Sequence, residues 1–407
     1  MFIPHTDAER QEMLERINKT SIESLFEDVP EKYRFPTLNL PDAISEMDAL
    51  SQIKELANAN GSTEELSCFL GAGAYDHYIP AVVDSILSRG DFFTAYTPYQ
   101  PEISQGTLQA IFEFQTLMAR LTGMDAANAS HYDGATAAAE ACISAYHHFK
   151  GKRTIFLTSQ AVNPQYREVI STYCRYLPNF RLVEHTDNPI HFMPEKLFDL
   201  IDENTAAVIV QYPDFFGNIY MLKALSEKIH AAGGLLIVVT NPISLGILIP
   251  PGDMGADIVV GEGQPLGLPL SFGGPYLGFF TVKHDLIRRM SGRLVGETVD
   301  SNSIKGYVLT LTAREQHIRR EKATSNICSN QGLMALAATV YLSALGKNGL
   351  HSVADLCFQK AHYTAEMISG IHGFEIVNSH PFFHEFVVKC PKSIQDINKY
   401  LLDHDII

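Results

Sequence analysis

The feature that most constrains the fold is a series of apolar runs that alternate with helical segments after Lys152. The runs are TIFLTS, RLVEHT, AAVIVQYP, LLIVVT, DIVVG and LGFFTVK. Near-continuous apolar strands between helices are typical of a mostly parallel sheet that is covered on both faces. The intervening segment LKALSEKIHAAGG has helical periodicity and ends in glycines, which stop helices. The sequence therefore predicts an α/β fold.

Different patterns flank these runs and predict three domains. Helical spacing from Thr6 onward predicts an N-terminal helical arm over residues 1–61, and the large α/β domain follows over 62–330, ending in a charged, irregular region. The apolar helix GLMALAATVYLSALG and the strand-like runs FEIVN and FFHEFVVKC predict a smaller α+β domain over 331–407. Because that domain ends on the apolar tail LLDHDII, we expect it to be truncated.

Composition excludes several classes of partner. A formal net charge of −15 over 407 residues argues against nucleic-acid binding, which needs a basic face. The apolar runs are too short to span a membrane, and no signal-peptide pattern is present, so we expect a cytoplasmic protein. The six cysteines lack a CxxC pair and are expected to be reduced. The histidines lack HxH or HExxH spacing, so no metal site is predicted.

The domain order resembles that of the aspartate-aminotransferase-like enzymes, which use pyridoxal phosphate (PLP). Their chemistry needs a Schiff-base lysine, an acid against the pyridine nitrogen and a helix N-terminus for the phosphate. The matching helix starts in HYDGATAAAEA, where Asp133 can cap it and would repel a phosphate. After LLIVVT stand Thr240 and Asn241, neither of which is an acid, and Gln264 stands where the lysine is expected. This resemblance predicts an emptied cofactor site.

Longer motifs make the resemblance more specific. FFTAYTPYQPEISQG, MDAANASHYDGATAAAEA, GEGQPLGLPLSFGGPYLGF and REQHIRREKATSNICSNQ resemble the glycine dehydrogenase (decarboxylating) P-protein family, and in particular its subunit 1, the α half of the two-chain form. The resemblance implies an α2β2 heterotetramer whose β chain, subunit 2, supplies the lysine and PLP. It also implies that the complex decarboxylates glycine and passes the aminomethyl group to the lipoyl arm of H-protein.

The loop FFTAYTPYQPEISQG is the candidate for a direct contribution to chemistry. Tyr96 and Tyr99 flank Thr97 and Pro98, and prolines stiffen the backbone that displays the two phenols. In this fold family such a loop commonly reaches into the neighbouring subunit's site. We therefore predict Tyr96 and Tyr99 as donors in the β site, with Glu102 and Gln105 as supporting groups. The alternative is that the tyrosines only pack at a subunit interface, where Tyr is enriched.

The segment AREQHIRREKATSN is the most basic run of the chain. It carries Arg314, His317, Arg319, Arg320 and Lys322 and predicts either a solvated helix face or a contact with an anionic group. Three functions remain open at this level: the non-PLP half of glycine decarboxylase, an inert scaffold or regulatory pseudoenzyme, and an independent PLP transferase with its lysine elsewhere. Gln264 argues against the third, because Lys283 and Lys322 lack the required context.

Overall fold

The chain divides after Ser62 into two units in the computed structural model, which describes residues 4–407. The second unit spans Thr63–Ile407. The domain boundary predicted at residue 330 falls inside this second unit and stays a prediction.

The first unit contains two helices. Helix α1, Asp7–Arg16, begins with a capping box between Thr6 and Glu9. Helix α2, Glu46–Asn58, is capped by Ser45, and two short 3-10 turns precede it at Glu23–Phe26 and Glu31–Tyr33. The apolar side chains of α2 recur every three residues and are all exposed: Met47, Leu50, Ile53 and Leu56. An apolar stripe of this kind marks a surface that a partner can cover.

The second unit begins with helices. They are α3 (Ala81–Leu87), α4 (Gly90–Phe93) and α5 (Gln105–Thr122), followed by the short strand β1 (Ala126–Ala127) and helix α6 (Gly134–His148). Helix α5 buries one face at three- and four-residue spacing and ends at Gly123, whose left-handed backbone favours glycine.

The predicted mostly parallel sheet is confirmed. Its further elements are β2 (Ile155–Ser159), α7 (Pro164–Cys174), β3 (Arg181–His185), β4 (Thr205–Tyr212), α8 (Lys223–Ala231), β5 (Leu235–Thr240), β6 (Ile258–Glu262) and β7 (Gly278–Val282). The strand order is β1-β7-β6-β5-β4-β2-β3. Strands β2 to β6 pair in parallel, whereas β7 runs antiparallel to both β6 and β1.

Both faces of this sheet are buried, which explains the continuous apolar runs. In β4, Val208 and Val210 join the core formed with α5, α8 and a later helix, while Ala207 and Ile209 join the core formed with α6 and α7. A strand that alternates between two cores has no polar face.

An antiparallel hairpin follows, β8 (Leu294–Val299) and β9 (Lys305–Thr310). The irregular region predicted here from the sequence is wrong for these residues, which form paired strands. The hairpin strands are only partly buried and carry charges such as Glu297 and Lys305, so they lack the apolar run that identified the other strands.

The remaining elements are helices and one short strand pair. Their bounds are α9 (Gln316–Arg319), α10 (Gly332–Ser369), β10 (Glu375–Ile376), β11 (Val388–Lys389) and α11 (Ile394–Leu402). Gly346 breaks α10 with non-helical dihedral angles, at the residue where the predicted apolar helix ends. Strands β10 and β11 pair antiparallel within the predicted strand-like runs.

Within residues 4–407, no helix combines the length and the apolar character needed to cross a membrane. The same residues contain no cluster of three or more His, Cys, Asp or Glu side chains that could hold a metal ion.

Candidate functional site

Gln264 lies just beyond β6, at the carboxyl edge of the sheet where α/β proteins bind ligands. Its side chain is fully buried. The amide Oε1 accepts from Tyr75 N at 2.8 Å, and Nε2 donates to Tyr75 O at 2.9 Å and to Leu268 O at 2.7 Å. The residue at the predicted Schiff-base position is therefore bonded to the backbone of two other segments and has no reactive group.

Glu262 occupies the N-terminus of α6 with its carboxylate. Oε2 accepts from Gly134 N at 2.9 Å, and Oε1 accepts from the backbone N–H groups of Gln264 and Leu277, each at 2.9 Å. Burial raises the pKa of Glu262 to about 7, against the opposing effect of the three N–H bonds. This role of Glu262, the last residue of β6, was not predicted from the sequence.

Helix α6 is capped in the way that the sequence predicted. Asp133 Oδ1 accepts from Thr136 N at 2.7 Å, and Thr136 Oγ1 accepts from Asp133 N at 3.2 Å. A Cβ added to Gly134 would lie 2.8 Å from Glu262 N, so the first turn is tightly packed. Two carboxylates and this packing leave no place for a phosphate at this helix end.

No carboxylate follows strand β5 either. The Thr240 hydroxyl donates to Tyr212 O at 2.6 Å, and Asn241 Nδ2 lies 3.3 Å from His384 Nε2. Burial lowers the pKa of His384 to about 3, so this imidazole is neutral. With no lysine, no acid and a filled anion position, the residues described at this edge of the sheet do not fit PLP.

A partly buried tyrosine–glutamate pair lies in the same region. The Tyr75 hydroxyl donates to Glu385 Oε2 at 2.8 Å, and Ala72 N donates to Glu385 Oε1 at 2.9 Å. Burial raises the pKa of both Tyr75 and Glu385. No local sequence pattern predicted this pair, because its residues are 310 positions apart.

Tyr99 is the best-placed residue of the predicted tyrosine loop. Its hydroxyl accepts a hydrogen bond from Arg293 Nη2 at 2.8 Å, and its ring is 53% exposed. A guanidinium only donates hydrogen bonds, so the tyrosine oxygen must be the acceptor. The Tyr99 O–H hydrogen is therefore available to donate to a group outside the chain.

Arg293 holds the Tyr99 hydroxyl in place through this hydrogen bond. Only 3% of Arg293 is exposed; its Nη1 donates to Thr97 Oγ1 at 3.2 Å, and its Nε lies 3.3 Å from Oε2 of the buried Glu315. A buried ion pair with a forked donor holds its partners in one geometry. Arg293 was not predicted as a site residue, because it lies outside the basic segment and 194 residues from Tyr99.

The other predicted site residues lie in different surroundings. Tyr96 is 80% exposed and its hydroxyl lies 3.1 Å from Ser329 Oγ. Glu102 is exposed. Gln105 connects the loop to β9, because Nε2 donates to Pro101 O and Tyr307 O while Oε1 accepts from Tyr307 N. Catalytic roles for Tyr99 and for these three residues stay predictions.

The predicted basic segment is not one continuous helix face. It contains a 3-10 turn, the four-residue α9 and another 3-10 turn. Arg314 donates to the carbonyl oxygens of Met290, Gly292 and Leu311 and thereby connects this segment to the turn before β8.

The chain is similar to known proteins over its whole length. A family model described as "Glycine cleavage system P-protein" matches residues 1–406. The chain is 51% identical over 407 residues to a probable glycine dehydrogenase (decarboxylating) subunit 1 of Thermomicrobium roseum, covering all of this chain and 91% of that one. It is 53% identical over 408 residues to the protein of the same name from Brevibacillus brevis, covering 100% of this chain and 90% of that one.

Solved structures are similar over the same length. A crystal structure of glycine decarboxylase (P-protein) of the glycine cleavage system, in inhibitor-bound form, has a TM-score of 0.93 and 42% identity, covering 100% of this chain and 91% of that one. A sphingosine-1-phosphate lyase of Burkholderia pseudomallei has a TM-score of 0.63 and 15% identity, covering 93% of this chain and 86% of that one. The latter supports the fold alone, which is that of the aspartate-aminotransferase-like, type I PLP-dependent enzymes.

Proposed function

Because the chain belongs to the glycine cleavage system P-protein family, we propose that it is the α subunit, subunit 1, of a two-chain glycine decarboxylase. In this proposal the complex decarboxylates glycine and transfers the aminomethyl group to the lipoyl arm of H-protein. Subunit 2, the β chain, completes an α2β2 heterotetramer and carries both the lysine and the PLP.

The observation that carries this proposal is the filled cofactor position. Gln264 and Glu262 use their polar atoms in hydrogen bonds to the chain itself, so this chain has no imine-forming group at the position where the fold would hold one. This supports the proposal that the PLP of the complex is held by the other chain.

The contribution of this chain is proposed to be the Tyr99 hydroxyl. Arg293 presets the phenol, so donating to developing negative charge in the β site would need little reorganisation. This outward donor favours a catalytic contribution over the alternative of an inert scaffold or regulatory pseudoenzyme, for which nothing outside the chain would have to meet Tyr99.

We also propose that subunit 2 covers the exposed apolar stripe of α2. Interfaces of obligate complexes commonly bury more than ~2,000 Å² and are apolar. We expect the isolated chain to self-associate in analytical ultracentrifugation and to form one defined species with subunit 2. A stable monomer that ignores subunit 2 would count against association.

The decisive experiment is reconstitution. The chain and subunit 2 are purified separately and together, and CO2 release from glycine is measured with H-protein. We expect turnover only in the mixture. Borohydride trapping and peptide mapping should find the cofactor on a lysine of subunit 2 and on none of this chain. Full turnover by subunit 2 alone, or a trapped lysine in this chain, would refute the proposal.

A further inference from the structure

A cavity of about 230 Å³ lies between α6, the turn before β8 and the basic segment. Its lining includes six cationic side chains, namely Arg288, Arg289, Arg293, Arg314, Arg319 and Lys322, but only two carboxylates, Glu140 and Glu315. Six positive and two negative groups leave a formal excess of four positive charges, in a chain whose net charge is −15.

Two of these cations already have structural partners. Arg293 pairs with Glu315, and Arg314 donates to backbone carbonyl groups. By contrast, Arg288, Arg289 and Lys322 are exposed and form no ion pair with any residue in the described part of the chain. Cations gathered around one cavity repel each other, and a bound anion removes that cost.

Glu140 adds a buried group with an unused oxygen. It is 2% exposed, and its Oε1 accepts from Ser325 Oγ at 2.8 Å, while Oε2 has no hydrogen-bond partner among residues 4–407. Burial raises the pKa of Glu140 to about 7, so its protonated form is populated near neutral pH. A protonated carboxyl group can donate to an oxygen of an anion.

We propose that this cavity binds a dianion of the phosphate class, either free phosphate or the phosphate group of a small phosphomonoester. Several donors that converge from separate segments suit the oxygens of a tetrahedral dianion, and arginine forks bind such oxygens in pairs. A monocarboxylate would neutralise one of the four excess positive charges, whereas a dianion neutralises two. The site goes beyond the decarboxylase function, which does not require it.

The test uses the purified full-length chain in isothermal titration at constant ionic strength. Inorganic phosphate, glycerol 3-phosphate and malonate serve as probes of free phosphate, phosphomonoester and dicarboxylate. The variant Arg288→Gln/Arg289→Gln/Lys322→Gln removes three exposed cations of the cavity that lack ion pairs among the described residues. The matched control Lys347→Gln/Lys360→Gln/Lys392→Gln removes three exposed cations that do not line the cavity. Circular dichroism checks the fold of each variant, and Arg289→Gln alone gives a second, milder test.

We expect saturable one-to-one binding of phosphate or of the ester. The probe that binds more tightly shows whether the site prefers free phosphate or a phosphomonoester. Charge-assisted hydrogen bonds of this kind predict that the triple variant binds roughly tenfold or more weakly. Arg289→Gln alone should show a smaller loss in the same direction, and the control should match the native chain. Absence of saturable binding by both phosphate probes, equal binding by malonate, or equal losses in the triple variant and the control would each overturn the proposal.

Discussion

The emptied cofactor site and the tyrosine loop use their polar groups in opposite ways. In the emptied site, Gln264 and Glu262 are buried, and the chain itself satisfies their donors and acceptors. In the loop, Tyr99 is half exposed, and its oxygen is fixed by Arg293 while its hydrogen has no partner assigned within the described residues.

The two regions therefore have different expected roles: the emptied site contributes to the stability of the fold, and the tyrosine loop to the reaction. Buried polar groups that bond only to the chain contribute to folding, because removing one partner leaves the others unsatisfied. An exposed donor held by a buried ion pair contributes little to folding but is preset for an external acceptor. Mutations in the first region should therefore change unfolding, and mutations in the second should change turnover.

The largest effect is expected for Gln264→Leu. The change removes the partners of Leu268 O, which is buried, and of Tyr75 N and Tyr75 O, which are partly buried. At roughly 1–3 kcal/mol for each orphaned group, the free energy of unfolding should fall by on the order of 5 kcal/mol. Urea denaturation of the full-length chain measures this loss.

The matched control is Gln109→Leu. Gln109 is exposed on α5 and bonds only to Glu113, so its replacement should change stability by less than about 0.5 kcal/mol. Similar losses for the two leucine variants would mean that the hydrogen bonds of Gln264 do not hold the emptied site closed.

Tyr99→Phe should have the next largest effect, chiefly on turnover. If the hydroxyl donates to charge that develops in the β site, its loss should cost about 2.7–4 kcal/mol of transition-state stabilisation, or ~10²–10³ in rate. The free energy of unfolding should also fall, by roughly 1–3 kcal/mol, because the buried Arg293 Nη2 loses its acceptor. Turnover is measured on the assembled complex at saturating glycine and H-protein, with assembly checked by size.

Two tyrosines serve as comparisons. Tyr363→Phe on α10 removes an exposed hydroxyl and should leave turnover unchanged. Tyr96→Phe should have a smaller effect than Tyr99→Phe, because no buried arginine fixes the Tyr96 hydroxyl, which lies beside Ser329. Full turnover of an assembled Tyr99→Phe complex would favour the interface interpretation of the loop and the scaffold alternative.

The sequence predicted the sheet well because its strands are buried on both faces and leave continuous apolar runs. It did not predict the β8–β9 hairpin, whose half-exposed strands carry charges. In the site, Asp133 and Gln264 could be located because each lies within a few residues of a strand or helix end. Tyr75, Glu385 and Arg293 could not, because their partners are 189 to 310 residues away and no local pattern records such pairs.

The pH dependence of stability should distinguish the buried Glu262 from a surface carboxylate. Its pKa rises from 4.5 to about 7 on folding. Between these values the unfolded chain binds fewer protons than the folded chain, so stability falls as pH rises, by about 3 kcal/mol for this group. Glu140 and Asp214, whose pKa values are also raised to about 7, add to the decline in the native chain.

The contribution of Glu262 to this decline is measured by denaturing the native chain and two variants between pH 4.5 and 7.5. Glu262→Gln should flatten the decline, whereas Glu227→Gln, which removes an exposed carboxylate of α8, should keep the native slope. Parallel curves for the native chain and Glu262→Gln would mean that the three N–H bonds keep Glu262 ionised throughout this pH range.

The smallest expected effect concerns the connection between the tyrosine loop and β9. Gln105→Ala removes two hydrogen bonds to Tyr307 and one to Pro101, but the site is exposed and water can replace them. We expect the preference of the loop for its position beside β9 to weaken by about 1 kcal/mol. If Gln105 positions the loop for Tyr99, turnover should then fall roughly fivefold. Amide exchange at Tyr307 N–H should quicken, because its acceptor is lost. The control Gln109→Ala, one turn further along α5, should change neither measurement. Faster exchange with unchanged turnover would show that Gln105 holds the hairpin without positioning Tyr99.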